Sequence, residues 1–298
     1  MDLILVGCTL TFAITVCGFA QTPSVDSEVR ITGPVDDPAK GVKVFTVESP
    51  YLGEPSTVEV LLPDDMDDGR AYRTLYVLPV EGGIGGHFGD GLAEVRRIDA
   101  HNRYDLICVT MSFDSVPWYG AHATDPRKRH ARFIKEVVVP LIEARFPAGR
   151  KPTHRLLLGF SKSGWGAVSL LLRDPAFFGA ACSWDAPLMM TEADLRWGSR
   201  HHFGAAEQAR PYVPVHLVKQ KADRFTGGPP RLTILGKNIF APHTRRFHQL
   251  LDAHQVPHHY RNDLDFKHHW ASGWVRPALA VFLGEADQSG DTGDGEAR

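Results

Sequence analysis

The sequence predicts an α/β fold in which helices cover both faces of a mostly parallel central sheet. The chain has 298 residues, 43% of them hydrophobic, so it can bury one large core. Short apolar runs alternate with segments of helical periodicity, which is typical of parallel sheets whose strands are buried on both faces. The sequence contains no internal repeat. We therefore expect one main domain, at residues 41–284.

The predicted elements alternate along the chain. Helices are expected at GLAEVRRIDAHNR (91–103), at residues 127–145 with a kink at Pro140, and at the end of the domain. The least regular stretch, Thr191 to Pro230, is expected to form a cap beside the site. Strands are expected at STVEVLLP (56–63), RTLYVLPV (73–80), YDLICVTMSF (104–113), RLLLGF (155–160), GAACSW (179–184), RLTILG (231–236) and the start of VPHHYRNDLDFKHHWASGWVRPALAVFL (256–283).

The apolar stretch Leu3–Ala20 ends in the small-residue context GFAQ, which is typical of a secretory signal peptide. Asp2 stands where such a peptide normally carries Lys or Arg, and about 18 apolar residues is also the lower limit for a membrane span. A short anchor or a misassigned start is therefore the alternative. We expect a signal peptide at 1–20, a linker at 21–40 and a disordered, Gly- and acid-rich tail at 285–298. The protein is then expected to be secreted or periplasmic.

Charge and composition exclude several classes of partner. The formal net charge is -2 and the basic residues are scattered, so neither nucleic acid nor a stable membrane partner is expected. The sequence predicts no particular oligomeric state.

The cysteines and histidines suggest neither a disulfide nor a metal site. Cleavage near Ala20 leaves Cys108 and Cys182, each inside an apolar run, and we expect both to be small buried hydrophobes. The pairs His201-His202 and His258-His259 have no Cys or carboxylate beside them at ligand spacing, so we predict no metal. No cofactor is expected either.

The stretch LLLGFSKSGWGAVSLLL (156–172) passes from a predicted strand through a sharp turn into a predicted helix. In such a turn only small neighbours avoid a clash, and the central serine is exposed above the sheet as a nucleophile. Ser161 occupies that position in a G-x-S-x-S sequence, with Gly159 before it and Ser163 where a glycine is usual. The alternative is a Gly-rich turn with an ordinary N-cap serine.

A serine nucleophile requires a base and donors for the developing oxyanion, and both are expected in chain order. The late loop offers His268 or His269 as the base. The glycine-rich loop in LYVLPVEGGIGGHFGDG (75–91) offers the backbone N–H of Glu81 or Gly82, to be paired with that of Lys162.

From about Val44 to Leu283 the sequence resembles the esterase-D-like branch of the alpha/beta hydrolases, which includes feruloyl and acetyl-xylan esterases and mycolyltransferases. The resemblance depends on LYVLPVEGG, GFSKSGWGA and HHWASGW. It implies the alpha/beta-hydrolase fold and serine chemistry. In that family the histidine commonly precedes a tryptophan by two positions, which favours His268 over His269.

The third triad member is less evident, because LGKNIF offers Asn238 where the resemblance implies an aspartate. Asparagine cannot stabilise an imidazolium as a carboxylate does. Asp185 follows the predicted strand GAACSW, which is expected to lie next to the strand that ends at Ser161, so it is our predicted acid. Its alternative role is an N-cap or turn residue, and Asp263 and Asp265 are the weaker candidates for the acid.

We predict an exported serine carboxylic-ester hydrolase that acts through Ser161, His268, Asp185 and an acyl-enzyme on a small-molecule or carbohydrate ester. Trp118 and Tyr119, which follow a strand end, are expected to bind substrate. The alternative, equally common for aromatic residues at such positions, is that their rings only pack within the loop. The alternatives are an acyltransferase of the same fold and a catalytically inactive binding or scaffold domain.

Overall fold

The computed structural model describes residues 28–284, in which nine strands form one sheet of order β1-β2-β3-β5-β4-β6-β7-β8-β9. The predicted signal peptide and acidic tail lie outside these residues. The strands are β1 (Arg30–Asp37), β2 (Val42–Glu48), β3 (Ser56–Leu61), β4 (Arg73–Val77), β5 (Leu106–Met111), β6 (Arg155–Phe160), β7 (Ala180–Trp184), β8 (Leu232–Leu235) and β9 (His258–Arg261).

The sheet is mixed but mostly parallel. β1, β2 and β3 pair antiparallel, as do β3 and β5. From β5 to β9 every neighbouring pair is parallel. The fold class predicted from the alternation of strands and helices is therefore confirmed.

β1 differs from the sequence-based expectation, which placed residues 21–40 in a linker. Arg30–Asp37 forms an edge strand that pairs with β2, for example Ile31 with Val47. Most of its side chains are exposed, because the strand is held by backbone hydrogen bonds at the sheet edge. A strand without a buried face has no clear hydrophobic alternation to detect.

The helices on the two faces are mostly those expected. The helix around Pro140 is interrupted by a π-helical turn (Ile134–Val138), since proline lacks the N–H that the regular ladder needs. The α-helices are α1 (Gly91–Arg97), α2 (Ala100–Arg103), α3 (His130–Phe133), α4 (Val139–Arg145), α5 (Ser161–Arg173), α6 (Ser199–Phe203), α7 (Ala206–Ala209), α8 (Pro214–Lys221), α9 (Ala241–Ala253) and α10 (Val275–Leu283).

The stretch 191–230 is more regular than its composition suggested. It contains α6, α7 and α8, together with short 3-10 turns. The hydroxyl of Ser169 on α5 donates to the carbonyl of Tyr212 at 2.6 Å, which ties this stretch to the helix that follows β6. Its short helices, divided by Gly and Pro, are too brief for a clear sequence period.

Two apolar layers enclose the sheet. One contains side chains of α3, α4, α5, α8 and α9, and the other those of α1, α2 and α10. Cys108 and Cys182 are buried and free, as expected. Within residues 28–284 no helix is long and apolar enough to cross a bilayer.

The parallel strands bring several loops to one edge of the sheet. The carboxyl ends of the parallel strands β4, β6, β7, β8 and β9 lie at this edge. Parallel α/β sheets carry their sites at this edge. The candidate site is built there.

Candidate active site

Ser161 lies in a tight turn between β6 and α5. Its backbone has φ of 52°, in the left-handed region that costs an ordinary residue about 1–2 kcal/mol. A Cβ on Gly159 would lie 2.4 Å from the carbonyl oxygen of Ser163. Glycine at that position is therefore a steric requirement of the turn, as the sequence pattern predicts.

Ser163, which replaces the usual glycine, is accommodated by its own hydrogen bonds. Its hydroxyl donates to the carbonyl of Phe160 at 2.9 Å and accepts from the N–H of the same residue at 3.1 Å. The close approach falls instead on Gly164, where a Cβ would lie 2.5 Å from Ser183 Oγ. The departure from G-x-S-x-G therefore leaves the turn intact.

His268 links Ser161 to a buried carboxylate. Its Nε2 is 2.9 Å from Ser161 Oγ, and its Nδ1 is 2.6 Å from Asp185 Oδ2. Because an ionised carboxylate only accepts hydrogen bonds, Nδ1 carries the proton and Nε2 can accept from the serine. The structure thus joins the three predicted residues in one hydrogen-bonded chain.

Asp185 is fixed from both sides. It is 0% exposed, and its second oxygen, Oδ1, accepts the N–H of Phe240 at 2.7 Å. Its backbone, like that of Ser161, has a positive φ, 41°. A carboxylate with both oxygens occupied has no freedom to leave His268.

The competing candidates for base and acid lie elsewhere. His269 Nδ1 accepts the N–H of Ala271 at 3.1 Å and its ring packs on the backbone of Gly89. Asp263 pairs with Arg261 at 2.6 Å, and Asp265 is exposed. None of the three side chains is hydrogen-bonded to the side chain of Ser161 or His268.

Asn238 supports the histidine loop, a role that the sequence did not suggest. Its Nδ2 donates to the carbonyl of Phe266 at 2.5 Å, and its Oδ1 accepts the N–H of Ile239 at 2.8 Å. An aspartate has no N–H to give to that carbonyl. The asparagine therefore positions the loop that carries His268 while Asp185 faces the imidazole.

Aromatic rings surround the imidazole. The rings of Phe88, Phe160 and Phe240 lie 5.3, 5.0 and 5.8 Å from that of His268. Apolar walls of this kind exclude water, which strengthens the electrostatic interactions inside the site.

The three backbone N–H groups predicted to form an oxyanion hole make no hydrogen bond within the described residues. Those of Glu81, Gly82 and Lys162 donate to no other residue within 28–284, whereas that of Gly83 donates to Phe113 O at 2.8 Å. Burial lowers the pKa of the Lys162 amine, and the nearby Glu81 carboxylate partly opposes this effect. The backbone N–H groups of Glu81, Gly82 and Lys162 thus remain available as donors.

Trp118 and Tyr119 are not positioned as predicted. They are 1% and 0% exposed and belong to the core. Trp118 packs edge-on against Trp165 at 5.4 Å, and the Tyr119 hydroxyl donates to Pro79 O at 2.5 Å. Both rings pack against α5, so the prediction that they bind substrate is wrong.

Trp197 is an exposed aromatic near the site that the sequence reasoning missed. It is 47% exposed, and its ring lies 5.3 Å from Phe240, which contacts the imidazole of His268. Ile239, beside Phe240, is also exposed. Nothing in the sequence around Trp197 separates it from a packed aromatic, so only the structure identifies it.

One group of side chains could hold a metal, although none was predicted. His248, Asp252 and His258 each offer a ligand atom, and these atoms lie within 4.8 Å of one another. The sequence reasoning considered only adjacent histidines. These residues meet because α9 turns back into β9.

Solved structures share this fold. The protein is similar to the S-formylglutathione hydrolase FrmB of Staphylococcus aureus, with 19% identity over 74% of this chain and 89% of that one and a TM-score of 0.59. It is similar to FphF, a fluorophosphonate-binding serine hydrolase of the same organism, with 19% identity, coverage of 73% and 88% and a TM-score of 0.57. It is also similar to a ferulic acid esterase, with 18% identity over 86% of this chain and 97% of that one and a TM-score of 0.62. The architecture is that of the alpha/beta hydrolases.

The family follows from the sequence itself. Residues 49–284 match the model of the Esterase family, whose description is "Putative esterase". The chain therefore belongs to this esterase family. A search of curated proteins found no match.

Proposed function

We propose that this protein hydrolyses carboxylic esters through a Ser161-His268-Asp185 triad and an acyl-enzyme. The observation that carries the proposal is the continuous hydrogen-bonded chain, 2.9 Å from Ser161 Oγ to His268 Nε2 and 2.6 Å from His268 Nδ1 to Asp185. Serine alone is a weak nucleophile, and this arrangement supplies its base and the group that orients the base.

The first half-reaction forms the acyl-enzyme. As Ser161 Oγ bonds to the ester carbonyl carbon, its proton passes to His268 Nε2, and the carbonyl oxygen becomes an oxyanion. The buried carboxylate of Asp185 stabilises the resulting imidazolium. Collapse of the intermediate breaks the bond to the alkoxy oxygen, which leaves as an alcohol with the proton from Nε2.

The second half-reaction releases the acid. Water attacks the acyl carbon and gives its proton to His268 Nε2, and collapse returns a proton to Ser161 Oγ. The products are a carboxylic acid and the free enzyme. In both halves the Lys162 N–H, with that of Glu81 or Gly82, would bind the oxyanion.

The surface near the imidazole favours an ester with an apolar or aromatic group. Trp197 and Ile239 are exposed beside Phe240. Such a surface gains about 25 cal/mol for each Å² of apolar area that a substrate covers. The similar ferulic acid esterase is consistent with an aromatic acyl group, on a small alcohol or a sugar.

A fluorophosphonate probe tests the proposal without knowledge of the substrate. The intact protein should become labelled on the peptide that contains Ser161, and the Ser161→Ala variant should not. Ser163→Ala is the matched control and should still label, because its hydroxyl contacts only the Phe160 backbone. A folded wild-type protein that does not label would favour the inactive scaffold.

Hydrolysis is distinguished from acyl transfer by adding an alcohol acceptor. With an aromatic ester in water we expect free acid as the main product, even when alcohol is present at millimolar concentration. Quantitative formation of a new ester under these conditions would identify an acyltransferase.

We also propose that the protein is exported, based on the apolar stretch Leu3–Ala20. Sequencing the N-terminus of the mature protein tests this. Cleavage near Ala20 supports export, and an intact Met1 contradicts cleavage by a signal peptidase.

A further inference from the structure

A second histidine and aspartate group lies between α9 and β9. His248 and Asp252 are one turn apart on α9 and face the same side, and His258 is the first residue of β9. His248 Nδ1 is 2.8 Å from His258 Nε2. Asp252 lies 3.3 Å from His248 Nε2 and 3.9 Å from His258 Nε2.

His258 is oriented as a ligand would be. Its side chain is only 4% exposed, and its Nδ1 is 2.8 Å from Val256 O. Because a carbonyl can only accept, Nδ1 carries the proton and the lone pair of Nε2 is directed at His248. Metal-binding histidines commonly have this arrangement, in which a backbone carbonyl fixes the ring and its tautomer.

His248 lies between two acceptors. Its Nδ1 faces the lone pair of His258, and its Nε2 faces the Asp252 carboxylate. A neutral ring has one N–H and can satisfy only one of these neighbours. Either a second proton or a metal ion that both imidazoles and the carboxylate bind satisfies all three residues.

We propose that His248, Asp252 and His258 form a binding site for Zn²⁺. Two imidazole nitrogens and one carboxylate oxygen suit zinc, whereas magnesium and calcium prefer oxygen ligands. The ligand atoms lie within 4.8 Å of one another, so rotation of the side chains brings each to about 2.0–2.2 Å from one ion. Asp252 is 59% exposed, which leaves a path for the ion and room for water as fourth ligand.

The site would stabilise the fold and would not act in ester hydrolysis. His258 pairs with Leu232 at the start of both strands, whereas Ser161 follows the end of β6. The two groups therefore lie at opposite edges of the sheet. An ion here would join α9 to β9, the outermost strand of the sheet.

The test uses the intact protein after removal of metals with a chelator. Isothermal titration with Zn²⁺ should give one ion per chain, and Co²⁺ in its place should show the visible absorption of a tetrahedral site. At a free Zn²⁺ concentration about 100 times Kd, linkage predicts a rise in Tm on the order of 5 °C. The variants Asp252→Asn and His248→Gln should lose most of this rise in Tm. Both residues are partly exposed, so neither substitution should unfold the protein.

His259→Ala is the matched control, since His259 is exposed on the same strand and should leave binding unchanged. If wild-type protein binds no Zn²⁺, or if both His248→Gln and Asp252→Asn retain the ion with unchanged affinity, the proposal is wrong. Circular dichroism confirms that each variant is folded. Ester hydrolysis is measured separately, so failure of either proposal leaves the other standing.

Discussion

Two groups of histidine and aspartate lie at opposite edges of one sheet and differ in what completes them. In the first, His268 lies between a buried carboxylate and a hydroxyl, so every hydrogen bond is satisfied by a neutral imidazole. In the second, His248 lies between an exposed carboxylate and a second imidazole. The same residue types therefore favour proton transfer at one edge and cation binding at the other.

The difference shows that geometry and burial determine the chemistry of a histidine and aspartate pair. Asp185 is 0% exposed and has one partner for each oxygen, while Asp252 is mostly exposed. A fixed, desolvated carboxylate can hold one tautomer through a reaction cycle. An exposed one can turn toward an ion.

The largest expected effect comes from breaking the first group at its histidine. His268→Ala should lower kcat by about 10⁶-fold, since removing one member of the nucleophile and base pair costs nearly as much as removing the whole triad. Steady-state hydrolysis of an aromatic ester measures it. His269→Ala should lose less than about tenfold, and the reverse ranking would assign the base to His269.

Removing the charge of Asp185 should have the next largest effect. Asp185→Asn is expected to lower kcat by about 10⁴-fold at neutral pH, because the amide favours the wrong tautomer of His268. Asp263→Asn, which removes one ion pair with Arg261, is the control. Equal losses in the two variants would argue against Asp185 as the acid.

Substitution of Asn238 tests how strongly kcat depends on the position of the histidine loop. Asn238→Asp removes the N–H that is bonded to Phe266 O and places a negative charge against that carbonyl. A displacement of about 1 Å can cost on the order of 10²-fold in rate, so we expect kcat to fall by up to that factor while KM changes little. Unchanged kcat would show that the loop is held without this bond.

A third group, the buried pair His130 and His202, has no carboxylate partner, and it should make the fold sensitive to acid. Burial lowers the pKa of His130 well below its usual range, and burial, followed by the charge of His122, lowers the pKa of His202 to about 3. Below pH about 6.5 the unfolded chain binds protons that the folded chain does not. Stability should therefore fall as the pH decreases from about 6.5 toward about 3.

The slope is measured by urea unfolding at several pH values. Each such histidine contributes up to about 1.4 kcal/mol per pH unit. His130→Phe removes one titrating group that has no hydrogen-bond partner in the described part of the chain, and it should flatten the slope by up to that amount. An identical slope would mean that His130 is not neutral in the folded state.

The smallest expected effect is that of the second group on ester hydrolysis. His248→Gln should leave kcat/KM within about twofold of wild type, a change of about 0.4 kcal/mol, although it abolishes the zinc-dependent rise in Tm. A large loss of kcat/KM in folded His248→Gln protein would show that the two groups are coupled.

Much of the site followed from the sequence because its constraints are local or topological. The small residues around Ser161 reflect a turn that admits no Cβ at 159, and the position of Asp185 follows from adjacent parallel strands. Residues 30–37 were missed because their exposed edge strand has no apolar period. The roles of Trp118 and Tyr119 were mistaken because burial of an aromatic loop residue depends on packing far along the chain.

The second group escaped notice for a related reason. His248 and His258 are ten positions apart on elements of different type, and their contact depends on the turn that joins α9 to β9. Side-chain spacing reveals sites within one helix or one strand. It does not reveal sites that a turn assembles.

Because the backbones of Ser161 and Asp185 are left-handed, the catalytic geometry depends on the folded structure around them. Both residues have a positive φ, 52° and 41°, and such conformations persist only where neighbouring structure imposes them. Partial loosening of this edge would let both return to ordinary angles and separate the three side chains. During slow heating, hydrolysis would then cease while the far edge of the sheet is still folded, so inactivation and unfolding would be two events with different midpoints.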